Sequence, residues 1–522
     1  MNTQTTADSL PVASGSRRPA PLAAAPPLAT RSLVAFALAT VVLHLIISGG
    51  YGWFRDELYY IEAGKHLAGG YVEFPIMVAI LADLQRAVFG TSLNALHVLP
   101  ALAGAGVIVL TGLMARELGG GPRAQRIAAL AVLVAPGFFG ADALFTMDAF
   151  DQLWWTAGAF ILLRLLGLRR TDLSAGEQDR RRRNLWLLFG VVCGLGLLTK
   201  LTILAFGLAV VIGLLLGPAR RELRSPWPYV AGAMALLFLV PYVLWNAGHG
   251  WATLSFWHNY GHTENTATFI IQVILLAQPL ALPLWLAGLW YLLRNPAGKA
   301  YRPLGWVFLV LCILFLAGHA KSYFLLPAFP PLLAAGGVAL ERRTRRVRSR
   351  LAPVAYGALV LGGIVLAPVV APVLPPKTFA ALMPSPIQPV ADRFGWPQFV
   401  GTVATVYHRL PPAQQAETTL LAGNYGEAGA LDLLGGRYHL PRVISPHNTY
   451  YFWGVGVTPG RVVIATDFQR PELLLYFRSV RQVAIVPSQY GIQNEEVGRP
   501  VFLCEGLRIP WSKVWPQLKN FS

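Results

Sequence analysis

Four carboxylates crowd one short stretch, GYGWFRDELYYIEAGKHLAGGYVEFP at residues 50–75. They are Asp56, Glu57, Glu62 and Glu73, and Arg55, Lys65 and His66 lie among them. The stretch follows directly on an apolar segment. Ionisable groups near a bilayer are costly to keep, so each is a candidate for function. A carboxylate at the membrane surface can act as general base toward a hydroxyl or amine. Asp56 and Glu57 also suit a helix N-terminus, whose free N–H groups and dipole favour acids; both roles can hold together. Glu62 and Lys65 read most simply as the polar face of an interfacial helix. Glu73, two residues before Pro75, reads as a solvated loop carboxylate or as a ligand for metal or substrate.

Further along, ADALFTMDAFDQ sets Asp142, Asp148 and Asp151 between two apolar runs. Asp148 suits an N-cap, but three acids exceed what capping requires. With Asp56 they make a candidate acidic site for a cation or a sugar. Lys200 in GLLTKLT and Lys321 in GHAKSYFLLP have no partner nearby in sequence. They read either as snorkelling side chains or as partners for a phosphate. The aromatic stretch at 247–268 holds His249, Trp251, Phe256, Trp257, His258 and His262. Its aromatics fit an interface belt. Histidine with a carboxylate can hold a divalent metal, and Glu73 with His262 is one such pair. No H-E-x-x-H, Walker or G-x-G-x-x-G pattern occurs, so no nucleotide cofactor is expected.

The elements that must position these groups are membrane helices. Of 522 residues, 55% are hydrophobic and 13% charged, against about 25% charged in soluble chains. Many runs approach the roughly 20 apolar residues that cross a bilayer. The pattern predicts eleven spans, near 32–49, 93–114, 124–140, 149–168, 185–199, 201–217, 228–246, 269–293, 304–318, 323–340 and 352–374. Arginines gather in alternate loops, above all RRTDLSAGEQDRRRRN and ERRTRRVRSR. This places those loops inside and the acid-bearing loops outside. The net charge of +18 then implies anionic lipids as neighbours, and no pattern of nucleic-acid type stands out. Cys193, Cys312 and Cys504 show no paired spacing.

Residues 1–31, rich in Ala, Pro, Ser and Thr, read as a disordered cytoplasmic tail. Residues 32–374 form the transmembrane part. Residues 375–522 change composition, and ETTLLAGNYGEAGALDLLGGRYHLP, RVVIATDF and VRQVAIVPS read as strand and helix units of a small α/β domain outside the membrane.

FRDELYYIEAGKHLAGGYVEFPIMVAILADLQRAVFGTSLNALHVLPALAGA resembles the first outer loop and second span of bacterial family-39-type glycosyltransferases, relatives of the protein O-mannosyltransferases and the lipid A aminoarabinose transferase. FTMDAFDQLWW, GLGLLTKLT, WNAGHGWATLSFW, KSYFLLPAFPPLLAAGG and AGNYGEAGALDLLGGRYHLPRVISPHNTYYFWG extend the likeness in order. The resemblance implies a polytopic helical membrane protein of GT-C type. It implies a polyprenyl-phosphate-linked sugar as donor, an acceptor outside the bacterial cytoplasmic membrane, and hexosyl or pentosyl transfer. It casts Asp56 as catalytic base with Glu57 beside it. Asp148, Lys200, His249, Lys321 and Tyr323 become substrate contacts, the lysines for the lipid phosphate. Glu73 falls at a metal-site glutamate of the aminoarabinose enzyme, where a Lys-Pro pair follows; here Phe74 and Pro75 follow instead. A divalent metal at Glu73 and His262 is thus a further expectation. A transporter or flippase is the competing reading, since such proteins also keep charges within the membrane.

Overall fold

The structure, a computed structural model, describes residues 26–168, 173–259, 264–345, 350–457 and 460–522. Each of the eleven expected apolar segments is helical. Five helices are long and apolar enough to cross a membrane: α1 (Thr30–Ile47), Leu93–Glu117, Trp227–Gly248, Pro296–Ala317 and Leu351–Val370. Three more segments qualify only as bent pairs. Pro122–Leu133 meets Pro136–Asp142 at 62°, Thr266–Leu276 meets Pro279–Leu293 at 82°, and Ser322–Ala328 meets Pro330–Arg345 at 53°. A proline follows every break, where its missing N–H and ring clash end the preceding helix. This tally of five, or eight with the bent pairs, is smaller than eleven. The other three helices fall short for visible reasons. Met147–Gly167 carries Asp148, Asp151 and Arg164, Ala175–Thr199 opens with four arginines at 180–183, and Ile203–Leu216 has 14 residues.

Small residues set the helix crossings. Gly288 and Gly336 face each other's helices so closely that a Cβ on either would overlap a carbonyl opposite, of Leu332 or Leu284. Close backbone approach of this kind is how helices associate where no hydrophobic drive separates them from lipid.

Between α1 and the second span lie two helices. Helix α2 (Arg55–Lys65) is capped by its own third residue: the Glu57 side chain accepts from the Phe54 N–H at 2.9 Å. Helix α3 (Met77–Phe89) lies within the predicted outer loop and is a further element. It exposes Ile80, Leu84, Val88 and Phe89 and carries an Asp83–Arg86 pair at 2.5 Å, the amphipathic pattern of an interfacial helix.

Residues 376–522 carry five strands: β1 (Thr418–Ala422), β2 (Val443–Ile444), β3 (Val462–Thr466), β4 (Phe477–Ile485) and β5 (Pro500–Leu507). Their order is β2-β1-β3-β5-β4. β2, β1 and β3 run parallel, with Thr418 opposite Val462 and Ala422 opposite Thr466, and β5 and β4 join antiparallel. β1 and β3 are buried along their whole length, as parallel strands covered on both faces must be. β4 forms an edge and exposes Arg478 and Arg481, a charge pattern that blunts edge pairing.

The chain leaves β1 for β2 on one side and reaches β3 on the other. The carboxyl ends of β1 and β3 therefore flank a topological switch point, where open α/β sheets bind ligands. That edge faces α2. Leu58, Ile61 and Val78 share one core with Phe399, Val400, Leu420, Leu431 and Leu503. A Cβ at Gly429 would stand 2.9 Å from the Leu58 backbone, so only glycine lets the helix Tyr425–Leu434 lie on α2. The C-terminal sheet and helices α2 and α3 thus fold around the same apolar contacts.

Candidate active site

Asp56 and Glu57 begin α2 and diverge at once. Asp56 stays partly open, with 28% of its side chain exposed. Its Oδ1 accepts a hydrogen bond from the Tyr425 hydroxyl at 2.8 Å. Arg55 lies 3.9 Å from the same oxygen and 5.4 Å over the Tyr425 ring, and is held from behind by Glu495 at 2.5 Å. Surrounding protein raises the Asp56 pKa; Arg55 and the Tyr425 bond oppose this, the Asp148 charge adds to it, and Lys321 lowers it. A carboxyl with its pKa lifted toward neutrality is a better proton acceptor than a free one.

Glu57 is fully enclosed. Its Oε1 takes His97 Nε2 at 2.6 Å and the Phe145 N–H at 2.7 Å, while Oε2 caps Phe54. Burial works to raise its pKa, but His97, Arg393 and the Phe145 N–H outweigh it and hold it below the ordinary glutamate value. Arg393 is itself buried, bonded to the Gly52 and Ser48 carbonyls at 3.1 and 3.3 Å. Both Glu57 oxygens therefore accept from protein donors, and the side chain fixes α2 to Phe145 and His97, in a place closed to substrate in this structure.

The second outer turn behaves differently from the expectation too. Thr146, not Asp148, caps the helix Met147–Gly167, accepting from the Asp148 N–H at 3.3 Å. This frees the Asp148 carboxylate, which receives Lys200 Nζ at 2.5 Å. The same ammonium stands 4.4 Å over Phe324 and 4.9 Å over Tyr323, and Lys321 Nζ is 5.9 Å from the Tyr323 ring. Asp148, Lys200, Lys321 and Tyr323 therefore form one group within electrostatic reach of Asp56. Of the other two acids, Asp151 stays within electrostatic reach of Lys200 and Asp148 but has its own partner, and Asp142 lies elsewhere. Asp151 accepts from Thr202 at 2.9 Å, and the Asp142 carboxylate fills the space beside Gly104.

Glu73 lies on the far side of Asp56. It receives the Tyr59 hydroxyl at 2.9 Å and the Asn448 amide. Tyr59 stacks on Tyr425 at 4.7 Å, so two tyrosines join the two acids. Burial pushes the Glu73 pKa to about 8, with the Asp56 charge a smaller contributor. Its oxygens face a hydroxyl and an amide N–H, donors that suit a carboxyl rather than a metal. His262 lies outside the described residues, and no group of three His, Cys, Asp or Glu among the described residues is set to hold a metal ion. The donor set around Glu73 does not fit a metal, so no step is routed through one.

His249 has protein partners of its own. Its ring stacks on Trp245 at 4.1 Å and meets the edge of Phe452 at 4.8 Å, with Nδ1 on the Trp245 carbonyl at 2.7 Å. It joins the span Trp227–Gly248 to the C-terminal domain. Glu62 is no open polar face: only 4% of its side chain is exposed, with Lys65 on it at 2.5 Å.

Sequence reading missed Tyr425, Tyr59 and Asn448. Tyr425 follows β1 at the switch point, after the N-cap Asn424, whose Oδ1 accepts from Glu427 at 2.9 Å. The strand–Asn–helix signature was present in AGNYGEAG, but nothing in it names Asp56 as the partner.

Residues 73–245 match the family described as dolichyl-phosphate-mannose-protein mannosyltransferase. An undecaprenyl phosphate-alpha-4-amino-4-deoxy-L-arabinose arabinosyl transferase of Pseudomonas paraeruginosa is 29% identical over 366 residues, 64% of this chain. The match spans 63% of that relative's length. The crystal structure of ArnT from Cupriavidus metallidurans in the apo state superposes with a TM-score of 0.60 over 91% of this chain and 97% of that one, at 16% identity. The same protein bound to undecaprenyl phosphate gives 0.58, with the same coverage and identity. The chain is therefore a multi-pass membrane protein with the GT-C fold, similar in sequence to aminoarabinose transferases and, over residues 73–245, to the protein mannosyltransferase family.

Proposed function

We propose that the chain transfers a sugar from a polyprenyl-phosphate donor to an acceptor at the outer face of the bacterial cytoplasmic membrane. The observation that carries this reading is the Asp56 carboxylate. Its Oδ1 is fixed by Tyr425, its Oδ2 has no hydrogen-bond partner among the described residues, and Lys321 and the Lys200–Asp148 pair lie close by.

Asp56 Oδ2 takes the proton of the acceptor hydroxyl or amine as that atom attacks the anomeric carbon. The bond from that carbon to the phosphate oxygen breaks with inversion, and its electron pair leaves on the polyprenyl phosphate. Lys200 and Lys321 bind the phosphate and stabilise the charge it gains, as fixed cations do for a developing anion. Asp148 holds Lys200 in place until the phosphate arrives. The phosphate is a good leaving group, so the chemistry needs no nucleotide. The relatives named above carry an aminoarabinose in their description, which favours pentosyl transfer. The absence of lysine after Glu73 sets this chain apart from the enzyme it resembles, and the acceptor is drawn from the protein, lipid and glycan classes alike.

The C-terminal sheet is assigned to the outer side, with the arginine loops inside. The bent spans also suit a transporter. The breaks themselves carry no ionisable side chain: they fall at Val134–Ala135, Ala277–Gln278 and Phe329. The acids and lysines that could meet substrate gather around Asp56 and Asp148 instead. Mass spectrometry of envelope glycolipids and glycans, with and without the protein, tests the reading. Loss of one glycosylated species together with accumulation of its lipid-linked donor supports it. An unchanged glycan profile with altered lipid flux overturns it in favour of transport.

A further inference from the structure

A second cavity, of about 300 Å³, opens at the other end of α2, at the low end of the roughly 300–1,000 Å³ of ligand pockets. Glu62, His66, Asp432, Arg442, Tyr450 and Trp453 line it. Glu62 lies six residues beyond Asp56, about 9 Å along the helix at ~1.5 Å per residue. The cavity is separate from the acid–lysine group described above, and the transfer chemistry uses none of its residues.

Its walls are built from two kinds of surface. One is aromatic: the Trp453 indole stacks on His66 at 4.5 Å and meets the edge of Tyr450 at 4.4 Å. The other is a set of oriented polar groups. Tyr450 donates to Asp432 Oδ2 at 3.0 Å and Lys65 holds Glu62 Oε1 at 2.5 Å. Arg442 rests on the Trp453 and Gly454 carbonyls at 3.4 Å each. Asp432 is exposed at the mouth; the surrounding protein and then the Glu62 charge raise its pKa to about 7.

The charges decide the class of ligand. Lys65 neutralises Glu62 and Asp432 stands near Arg442, so the cavity offers little net charge to a free cation or anion. It offers instead carboxylate acceptors, guanidinium donors and a flat aromatic platform. Those are the complements of a neutral ring with hydroxyls on its rim and C–H groups on its face. We propose that this cavity binds a neutral sugar residue, stacked on Trp453 and hydrogen-bonded through Asp432 and Arg442. Its use as a second contact for a glycan acceptor rests on the transfer reading; the binding itself does not.

The test is binding without turnover. The full-length protein in lipid nanodiscs is titrated with methyl α-glucopyranoside and methyl α-mannopyranoside by saturation-transfer NMR, with choline and inorganic phosphate as cation and anion controls. The expected result is saturable binding of at least one glycoside, weakened at least fivefold in Asp432→Asn and in Trp453→Phe at unchanged melting temperature. Preference for choline or phosphate overturns the proposal. So does glycoside binding that neither variant weakens, or no saturable glycoside binding at all. Failure of the transfer reading shows separately, as unchanged envelope glycans with glycoside binding intact.

Discussion

Asp56 and Glu57 are adjacent on one helix and end in opposite environments. The Asp56 cleft is open, carries a carboxyl with a raised pKa, and draws partners from the C-terminal domain and the lysine group. The knot around Glu57, His97, Arg393 and Phe145 is closed, and its carboxylate is held charged. Successive helical side chains diverge by about a quarter of a turn, at ~3.6 residues per turn. One residue of offset therefore separates a group that can exchange protons with a substrate from one that holds the cleft's floor in place. Cleft and knot act together: the knot fixes the start of α2, and so the position of Asp56.

Breaking the knot should have the largest effect. Glu57→Ala leaves His97 and Arg393 buried without their carboxylate and the Phe54 and Phe145 N–H groups without an acceptor. Removing one partner of a buried pair costs about 3–5 kcal/mol. A large fall in melting temperature, or loss of folded protein, is expected; a melting temperature near wild type would dissolve the distinction between the regions.

Separating the C-terminal sheet from α2 should cost less. Gly429→Val drives a side chain into the Leu58 backbone, an overpacking worth about 1–3 kcal/mol. Because the helix it disturbs carries Tyr425, transfer should drop more than stability. Equal losses in both would show that the sheet only braces the fold.

Tyr425→Phe sharpens the comparison on the cleft side. The hydroxyl lowers the Asp56 pKa, so its removal should move the acid limb of the pH–rate profile to higher pH. The rate near neutrality should fall about tenfold, in line with the ~1.5–3 kcal/mol of a hydrogen bond to a charged group. An unmoved limb would mean that the tyrosine does not act through Asp56.

A further effect, read as stability against pH, concerns Glu73. Its folded pKa of about 8 exceeds the 4.5 of an unperturbed glutamate. The folded state therefore holds the proton more tightly than the unfolded state. The stability tied to that proton is fully present below about 4.5 and is lost as pH rises through 8. Glu73→Gln removes that slope, so its melting temperature should gain on wild type across this window. Parallel pH curves would show Glu73 already ionised in the fold.

Much of the positioning was legible in sequence. Apolar runs and arginine loops located the helices, and Lys200, Lys321 and Asp148 stood out because ionisable side chains are rare near lipid. Two things were not legible. The spacing of Asp56 and Glu57 cannot say which faces the cleft, because His97 and Arg393 lie 40 and 336 residues from Glu57. The capping of Met147–Gly167 by Thr146 rather than Asp148 is a one-residue matter that composition leaves open. The bends at Pro136, Pro279 and Pro330 lay in plain view, yet the apolar runs continued across them and hid the breaks.

The most direct test of the central claim compares Asp56→Asn with wild type in a single-turnover assay in nanodiscs, using a polyprenyl-phosphate-linked sugar and the acceptor found by envelope profiling. The account predicts that transfer falls about 10²- to 10⁴-fold, the usual share of a general base, while melting temperature and donor binding stay near wild type. Transfer at the wild-type rate by folded Asp56→Asn would contradict it.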